Sequence, residues 1–120
     1  MKKRALIIGA TGIVGGNLAQ HLLAYGDWDV TGLSRGRSAA NRAMESVTAD
    51  LTSAASVANA LQGRQFTHVF FTAWSRQATE RENIEVNGAM VRHVLDALGP
   101  SGTLEHAALV TGLKHYLGPF

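Results

Sequence analysis

The chain contains no cysteine. Disulfides, thiolate metal sites and cysteine nucleophiles are therefore excluded, and no metal site is expected. Long apolar runs are also missing: no segment reaches the roughly 18 residues that a membrane-spanning helix needs. The opening MKKRALIIGATGIVGG places basic residues before an apolar stretch, as a secretory leader would, but Gly9, Gly12, Gly15 and Gly16 interrupt it. No export signal is read there, and a cytoplasmic location is expected. Charge of one sign is scarce as well. The formal net charge is +2, and the cations are scattered apart from Lys2-Lys3-Arg4 and Arg35/Arg37. A nucleic-acid binder gathers its cations on one face and adds stacking aromatics, so neither nucleic acid nor membrane is expected as a partner. Repeats, linkers and low-complexity tracts are absent too. What is left is a chain of 120 residues, 46% hydrophobic and 17% charged. That is one domain by size, long enough to bury a core without staples.

Short apolar runs alternate with stretches of helical spacing. Ala5 to Ile8 is a continuous apolar run, as expected of a strand buried on both faces. Ile13, Val14, Leu18, Leu22 and Leu23 then recur with helical spacing up to Tyr25, and Gly26 closes that helix. Further strands are expected at Trp28–Leu33, Ser46–Ala49, His68–Thr72 and Leu104–Val110. Helices are expected over Ser53–Leu61 and Glu80–Leu98, the second with Ile84, Val91, Val94, Leu95 and Leu98 on one face and Gly99-Pro100 as its stop. Such alternation predicts an α/β fold of Rossmann type: a doubly wound parallel sheet of about five strands, order 3-2-1-4-5, joined by right-handed crossovers. Ligands bind these sheets outside the carboxyl ends of the strands, where the strand order reverses. The segments that follow strands, Gly9–Gly16, Ser34–Arg37, Asp50-Leu51, Thr72–Ser75 and Thr111 onward, are therefore the candidate site.

Three of these segments carry recognisable chemistry. Gly9-Ala10-Thr11-Gly12-Ile13-Val14-Gly15 follows a buried strand and opens an amphipathic helix. Its glycines allow a tight turn and close backbone approach to a pyrophosphate, which the N–H groups and dipole of the helix then hold. Gly15 also lets the helix pack closely. After the second strand, Ser34-Arg35-Gly36-Arg37 lacks the acidic residue that usually accepts from a ribose 2′-hydroxyl. Ser34 can donate to a phosphate and Arg35 can pair with it bidentately, which favours NADP(H). After the third strand, Asp50 can accept from an adenine amino group while Leu51 covers the ring. Asp50 or Thr52 can equally cap the next helix, and both readings stand.

This combination, with HVFFTAWSRQATERENIEVNGAMVRHVLDAL and above all TGLKHYLGPF, resembles the extended or atypical short-chain dehydrogenase/reductases, in the progesterone 5β-reductase/iridoid synthase-like branch. Thr111, Gly112, Lys114, His115, Tyr116, Gly118, Pro119 and Phe120 match that branch's T-G-x-K-H-Y-x-G-P-F signature. The resemblance implies an NADPH-dependent reduction of enone or enal carbon–carbon double bonds. It implies that Lys114 is the catalytic lysine, that Phe120 lines the substrate pocket, and that Thr72, Ala73 and Trp74 border the nicotinamide, with Trp74 also facing substrate. His115 and Tyr116 are read as residues that shape the loop. Asn87 either fixes backbone near the site or packs within its helix. Two departures from the branch pattern are Gly36, where a second arginine is usual, so that Arg37 must substitute, and Ala73, where threonine is usual.

Members of this branch are much longer, with their catalytic tyrosine downstream of Phe120. The chain is therefore read as an NADP-binding domain over residues 1–120, lacking the substrate-binding part and by itself inactive. A small-molecule substrate and a homo-oligomer are expected, the latter because a sheet ending at strand five exposes an unpaired edge. Two alternatives remain open at this level: an NAD-dependent sugar-nucleotide epimerase or dehydratase, and a non-catalytic NADP-binding module.

Overall fold

The computed structural model describes residues 2–35, 44–73, 75 and 77–110. Five strands form one sheet: β1 (Lys3–Ile8), β2 (Trp28–Ser34), β3 (Glu45–Thr48), β4 (His68–Phe71) and β5 (His106–Leu109). The order is β3-β2-β1-β4-β5 and every pairing is parallel. Both the doubly wound class and the strand order expected from the alternation are borne out. Helices α1 (Ile13–Tyr25), α2 (Ala54–Leu61) and α3 (Glu80–Leu98) supply the crossovers.

Register explains the two cores. Lys3 pairs with Trp28 and Ala5 with His68, so Ala5, Ile7 and Val30 point to one face. There they pack with Ala19 and Leu22 of α1. Leu6, Ile8, Leu33, Val47, Val69 and Phe71 point to the other face, against Val57 and Leu61 of α2 and Met90, Val94 and Leu98 of α3. Leu6, Ile7, Leu33 and Val69 are fully buried. Strands covered on both faces read as continuous apolar runs, and β1 shows this directly.

The ends of the elements follow local chemistry. Gly26, at φ +77°, ends α1 in the left-handed conformation that favours glycine, and its N–H bonds to Leu23 O at 3.2 Å. Ser53 caps α2 by accepting from Ser56 N at 3.2 Å, and Thr79 caps α3 by accepting from Glu82 N at 3.1 Å. Asp50 and Thr52 therefore do not cap α2. Glu80 and Glu82 in the first turn of α3 complement its dipole. Beyond Leu98 the chain makes a single 3-10 turn over Gly99–Ser101 before β5.

Several boundaries shift by a residue or two. β5 is confined to His106–Leu109, because Thr103 and Glu105 are engaged with the end of the preceding segment: Thr103 Oγ1 donates to Phe66 O at 3.0 Å and Glu105 N to Thr67 O at 2.8 Å. The expected apolar face of α3 holds except at its start: Val94 and Leu98 are buried, and Val91 and Leu95 pack against the same core. Ile84 is exposed, and the buried positions are Asn87, Met90, Val94 and Leu98. Likewise Ile13 and Val14 are exposed in α1, whose buried positions are Gly15, Ala19 and Leu22. In both helices the first turn reaches past the carboxyl end of the sheet, where apolar residues find no sheet to cover them. No helix among the described residues is long and apolar enough to cross a membrane.

Candidate functional site

At the carboxyl ends of the strands, β1 gives way to a tight turn. Gly9 N donates across to Leu33 O of β2 at 3.0 Å, and Gly12 N donates back to Gly9 O at 3.1 Å. Gly9 adopts φ +89°, and a Cβ there would lie 2.9 Å from Ala73 N. Conformation and space both demand glycine at this position. Gly12 then starts α1 in extended conformation, with no side chain to cap the helix. The first-turn N–H groups of an α-helix have no partner within the helix. Here they open beside a turn whose glycines leave the backbone uncovered, with the Thr11 side chain at its rim. Gly15 lies beneath: its Cβ would meet Gly9 O and come within 2.7 Å of Thr72 Oγ1. The expected close packing is thus against the turn itself and the end of β4. Thr72 completes the joint by donating its hydroxyl to Ile8 O at 2.6 Å.

The turn forms the floor of a groove of about 810 Å³. Gly9, Thr11, Gly12, Ser34, Arg35, Asp50, Leu51, Thr72 and Ala73 all line it. These nine expected residues come from the ends of four different strands, and the fold brings them together. Gly15 supports the groove from below, while Ile13 and Val14 place exposed side chains at the start of α1. Arg37, Trp74, Lys114 and Phe120 lie outside the described residues.

Opposite the turn, the segment after β3 is held in a defined shape. Asp50 Oδ1 accepts from Thr52 N at 3.0 Å and Thr52 Oγ1 at 2.6 Å. Ala49 N bonds to Ser34 O at 3.0 Å, tying this segment to the end of β2. The Thr52 hydroxyl and backbone bonds hold the Asp50 carboxyl below its ordinary pKa, with a further contribution from the Arg35 guanidinium nearby. Asp50 is therefore an ionised acceptor at neutral pH. The rim at β2 and β3 thus offers a guanidinium and a hydroxyl on one side and a fixed carboxylate on the other.

Sequence reasoning did not single out Met90 or His93. Met90 lines the groove from α3, and His93 Nδ1 lies 2.8 Å from Leu51 O. Asn87 does fix backbone: its Oδ1 accepts from Ser75 N at 2.9 Å, and its Nδ2 donates to Ser75 O at 2.8 Å and Asn83 O at 2.9 Å. The available signal was the spacing of positions 87, 90 and 93, three residues apart on one long helix.

Known proteins can now be set beside this geometry. The profile described as the NAD dependent epimerase/dehydratase family matches residues 5–111. A 3-oxo-Delta(4,5)-steroid 5-beta-reductase of Arabidopsis thaliana is 41% identical over 97% of this chain and 32% of its own length. An (S)-8-oxocitronellyl enol synthase of Camptotheca acuminata is 42% identical over 97% of this chain and 32% of its own length. The chain thus spans about a third of the length of these curated relatives, which are of the branch that TGLKHYLGPF resembles. Among solved structures, a short chain dehydrogenase family protein of Francisella tularensis superposes with a TM-score of 0.76 at 13% identity, covering 99% of this chain and 55% of that one. That likeness is one of fold.

Proposed function

We infer function from the premise that the chain belongs to the NAD dependent epimerase/dehydratase family. We propose that residues 1–120 form the NADP(H)-binding domain of an NADPH-dependent reductase acting on enone or enal carbon–carbon double bonds or related carbonyl substrates. The observation that carries the cofactor assignment is the groove itself. It joins a glycine turn at a helix N-terminus to Ser34 and Arg35, with no acidic residue from Leu33 to Arg37. The donor set fits an anionic dinucleotide. In this reading the turn at Gly9–Gly12 and the first N–H groups of α1, at Ile13, Val14 and Gly15, hold the pyrophosphate. Ser34, Arg35 and Arg37 hold the 2′-phosphate. Asp50 accepts from the adenine amino group and Leu51 covers the ring.

Thr72, Ala73 and Trp74 border the nicotinamide half. A reduced nicotinamide supplies the hydride when bound. Lys114 is the catalytic lysine, binding the ribose hydroxyls and supporting the phenol that holds the developing enolate oxygen. Phe120 and Trp74 wall the substrate pocket. The branch signature TGLKHYLGPF and the activities for which the two curated relatives are named support the reaction class.

The test is a pair of fluorescence titrations of this chain with NADPH and NADH. Tighter binding of NADPH is expected. Equal binding of the two, or tighter binding of NADH, would remove the 2′-phosphate assignment. The reaction is tested by following NADPH oxidation with a panel of cyclic enones and enals on the protein carrying this domain. No oxidation with any of them would overturn the reductase reading.

A further inference from the structure

Helix α3 does more than cover the sheet. Asn87, Met90 and His93 stand at i, i+3 and i+6, a single ridge along the helix. All three meet the groove or its walls. Asn87 grips Ser75 at both its N–H (2.9 Å) and its C=O (2.8 Å), so the segment after β4 is held as if by a strand neighbour. Its remaining amide hydrogen goes to Asn83 O, and the side chain is buried, at 8% exposure. Asn83 Oδ1 in turn accepts from Gln77 N at 2.6 Å, two residues further along the same segment. Six residues on, His93 Nδ1 reaches Leu51 O at 2.8 Å, across 42 positions of sequence. A carbonyl can only accept, so Nδ1 carries the proton and donates it to this bond. Met90, between these two grips on the helix, lines the groove from the core side.

We propose that the Asn87–Met90–His93 ridge of α3 sets the width of the groove, with Asn87 and His93 as separate positioning residues for its two walls. His93 fixes the wall made by Asp50-Leu51-Thr52, and Asn87 fixes the wall that follows Thr72 and Ala73. This rests on the reading of the groove as a dinucleotide site and goes beyond it by dividing the control of its two halves. Leu51 cannot drift while its carbonyl is held, and Asp50, whose carboxylate is folded onto Thr52, moves with it. Ser75, itself a lining residue, is fixed at both its N–H and its C=O, in the two peptide units that flank its Cα. A doubly wound sheet binds one half of a dinucleotide on each side of its switch point, so the two grips act on different halves of one ligand.

The test uses this chain, with NADPH and 2′,5′-ADP as probes. His93→Leu should weaken both probes about fivefold, the loss expected when one net hydrogen bond is removed. Asn87→Ala should weaken NADPH by a similar factor while leaving 2′,5′-ADP within about twofold, since the adenylate wall keeps its grip. His93→Asn, whose amide nitrogen occupies nearly the same place as Nδ1, should restore binding of both probes. A merely structural role would not give this split or this rescue. Amide exchange of the cofactor-free chain supplies an independent reading: Asn87→Ala should speed exchange at Ser75 and Gln77 and not at Thr52. Wild-type chain that binds both probes, with a His93→Leu variant that binds them as well as wild type or an Asn87→Ala variant that loses both in parallel, would overturn the inference. Wild-type chain that binds neither probe would overturn the dinucleotide reading and this inference with it.

Discussion

Gly15 and Gly16 are neighbours in the first turns of α1, and a single methyl group should act oppositely at the two. At Gly15 an added Cβ would collide with Gly9 O and stand 2.7 Å from Thr72 Oγ1 and 2.9 Å from Gly9 C. Two of these neighbours are backbone atoms of the turn and cannot swing away. Overpacking of this kind costs about 1–3 kcal/mol. Rotation of Thr72 to make room would give up its 2.6 Å bond to Ile8 O, about another 1 kcal/mol. Against that, alanine in place of glycine within a helix gains about 1 kcal/mol. Gly15→Ala should therefore destabilise the chain by about 1–3 kcal/mol, lowering Tm by about 4 °C for each kcal/mol. At Gly16 the nearest atom to the added Cβ is Ala10 O at 3.5 Å, an ordinary contact. There the helix-propensity gain stands nearly alone, and Gly16→Ala should stabilise by up to about 1 kcal/mol. Urea denaturation followed by circular dichroism measures both variants. The same sign of change in the two, or a Gly15→Ala variant as stable as wild type, would refute the steric reasoning. Because the collision is with the turn, NADPH affinity should fall with Gly15→Ala and be retained with Gly16→Ala.

Three further outcomes follow from the same geometry. Arg35→Ala should cost NADPH affinity about tenfold or more, as expected for a charge-assisted bond, and leave NADH unchanged in parallel titrations; an equal loss for both cofactors would place the guanidinium elsewhere. Thr67→Val should destabilise by about 1–3 kcal/mol, measured by urea denaturation, because the buried Thr67 hydroxyl is the acceptor for Arg4 N at 2.9 Å and valine leaves that N–H without it. Burial and then the nearby His106 and Lys3 push the pKa of His68 down, with Glu105 opposing, so the folded chain takes up this proton less readily than the unfolded chain. Stability should fall as the pH drops below about 6.5 towards the folded pKa and be indifferent to this group above that. His68→Phe should flatten this dependence in denaturation curves at pH 7.5 and 5.5, and an unaltered slope would exclude His68 as its source.

Much of this molecule could be read before its coordinates. The alternation of apolar runs and helical spacing dictated parallel strands, because a strand covered by helices on both faces has no polar side to show. α1 was legible to the residue and β1 to within two at its start, since Gly9 and Gly26, both at positive φ, mark the turns that bound them. The glycine turn, Ser34-Arg35, Asp50-Leu51 and Thr72-Ala73 were recognisable for one reason: each directly follows a strand, and a doubly wound sheet gathers those positions. The branch was legible from TGLKHYLGPF, whose residues are too specific in order to arise from packing.

Periodicity misled where helices overrun the sheet. Ile13, Val14 and Ile84 have the right spacing for a core and no sheet beneath them. The role of Asp50 needed coordinates as well, because an Asp before a helix can cap it or fold back, and only the observed bonds to Thr52 and the Ser53 cap decide between these. Least visible of all were the grips of α3. Asn87 on Ser75 spans 12 positions and His93 on Leu51 spans 42, so no local pattern records them. Sequence by itself determined the order of elements and the chemistry at the strand ends, because both depend on short-range spacing and residue type. Tertiary structure decided which helix holds the walls of the groove apart, because that depends on where a long helix lies across a twisted sheet.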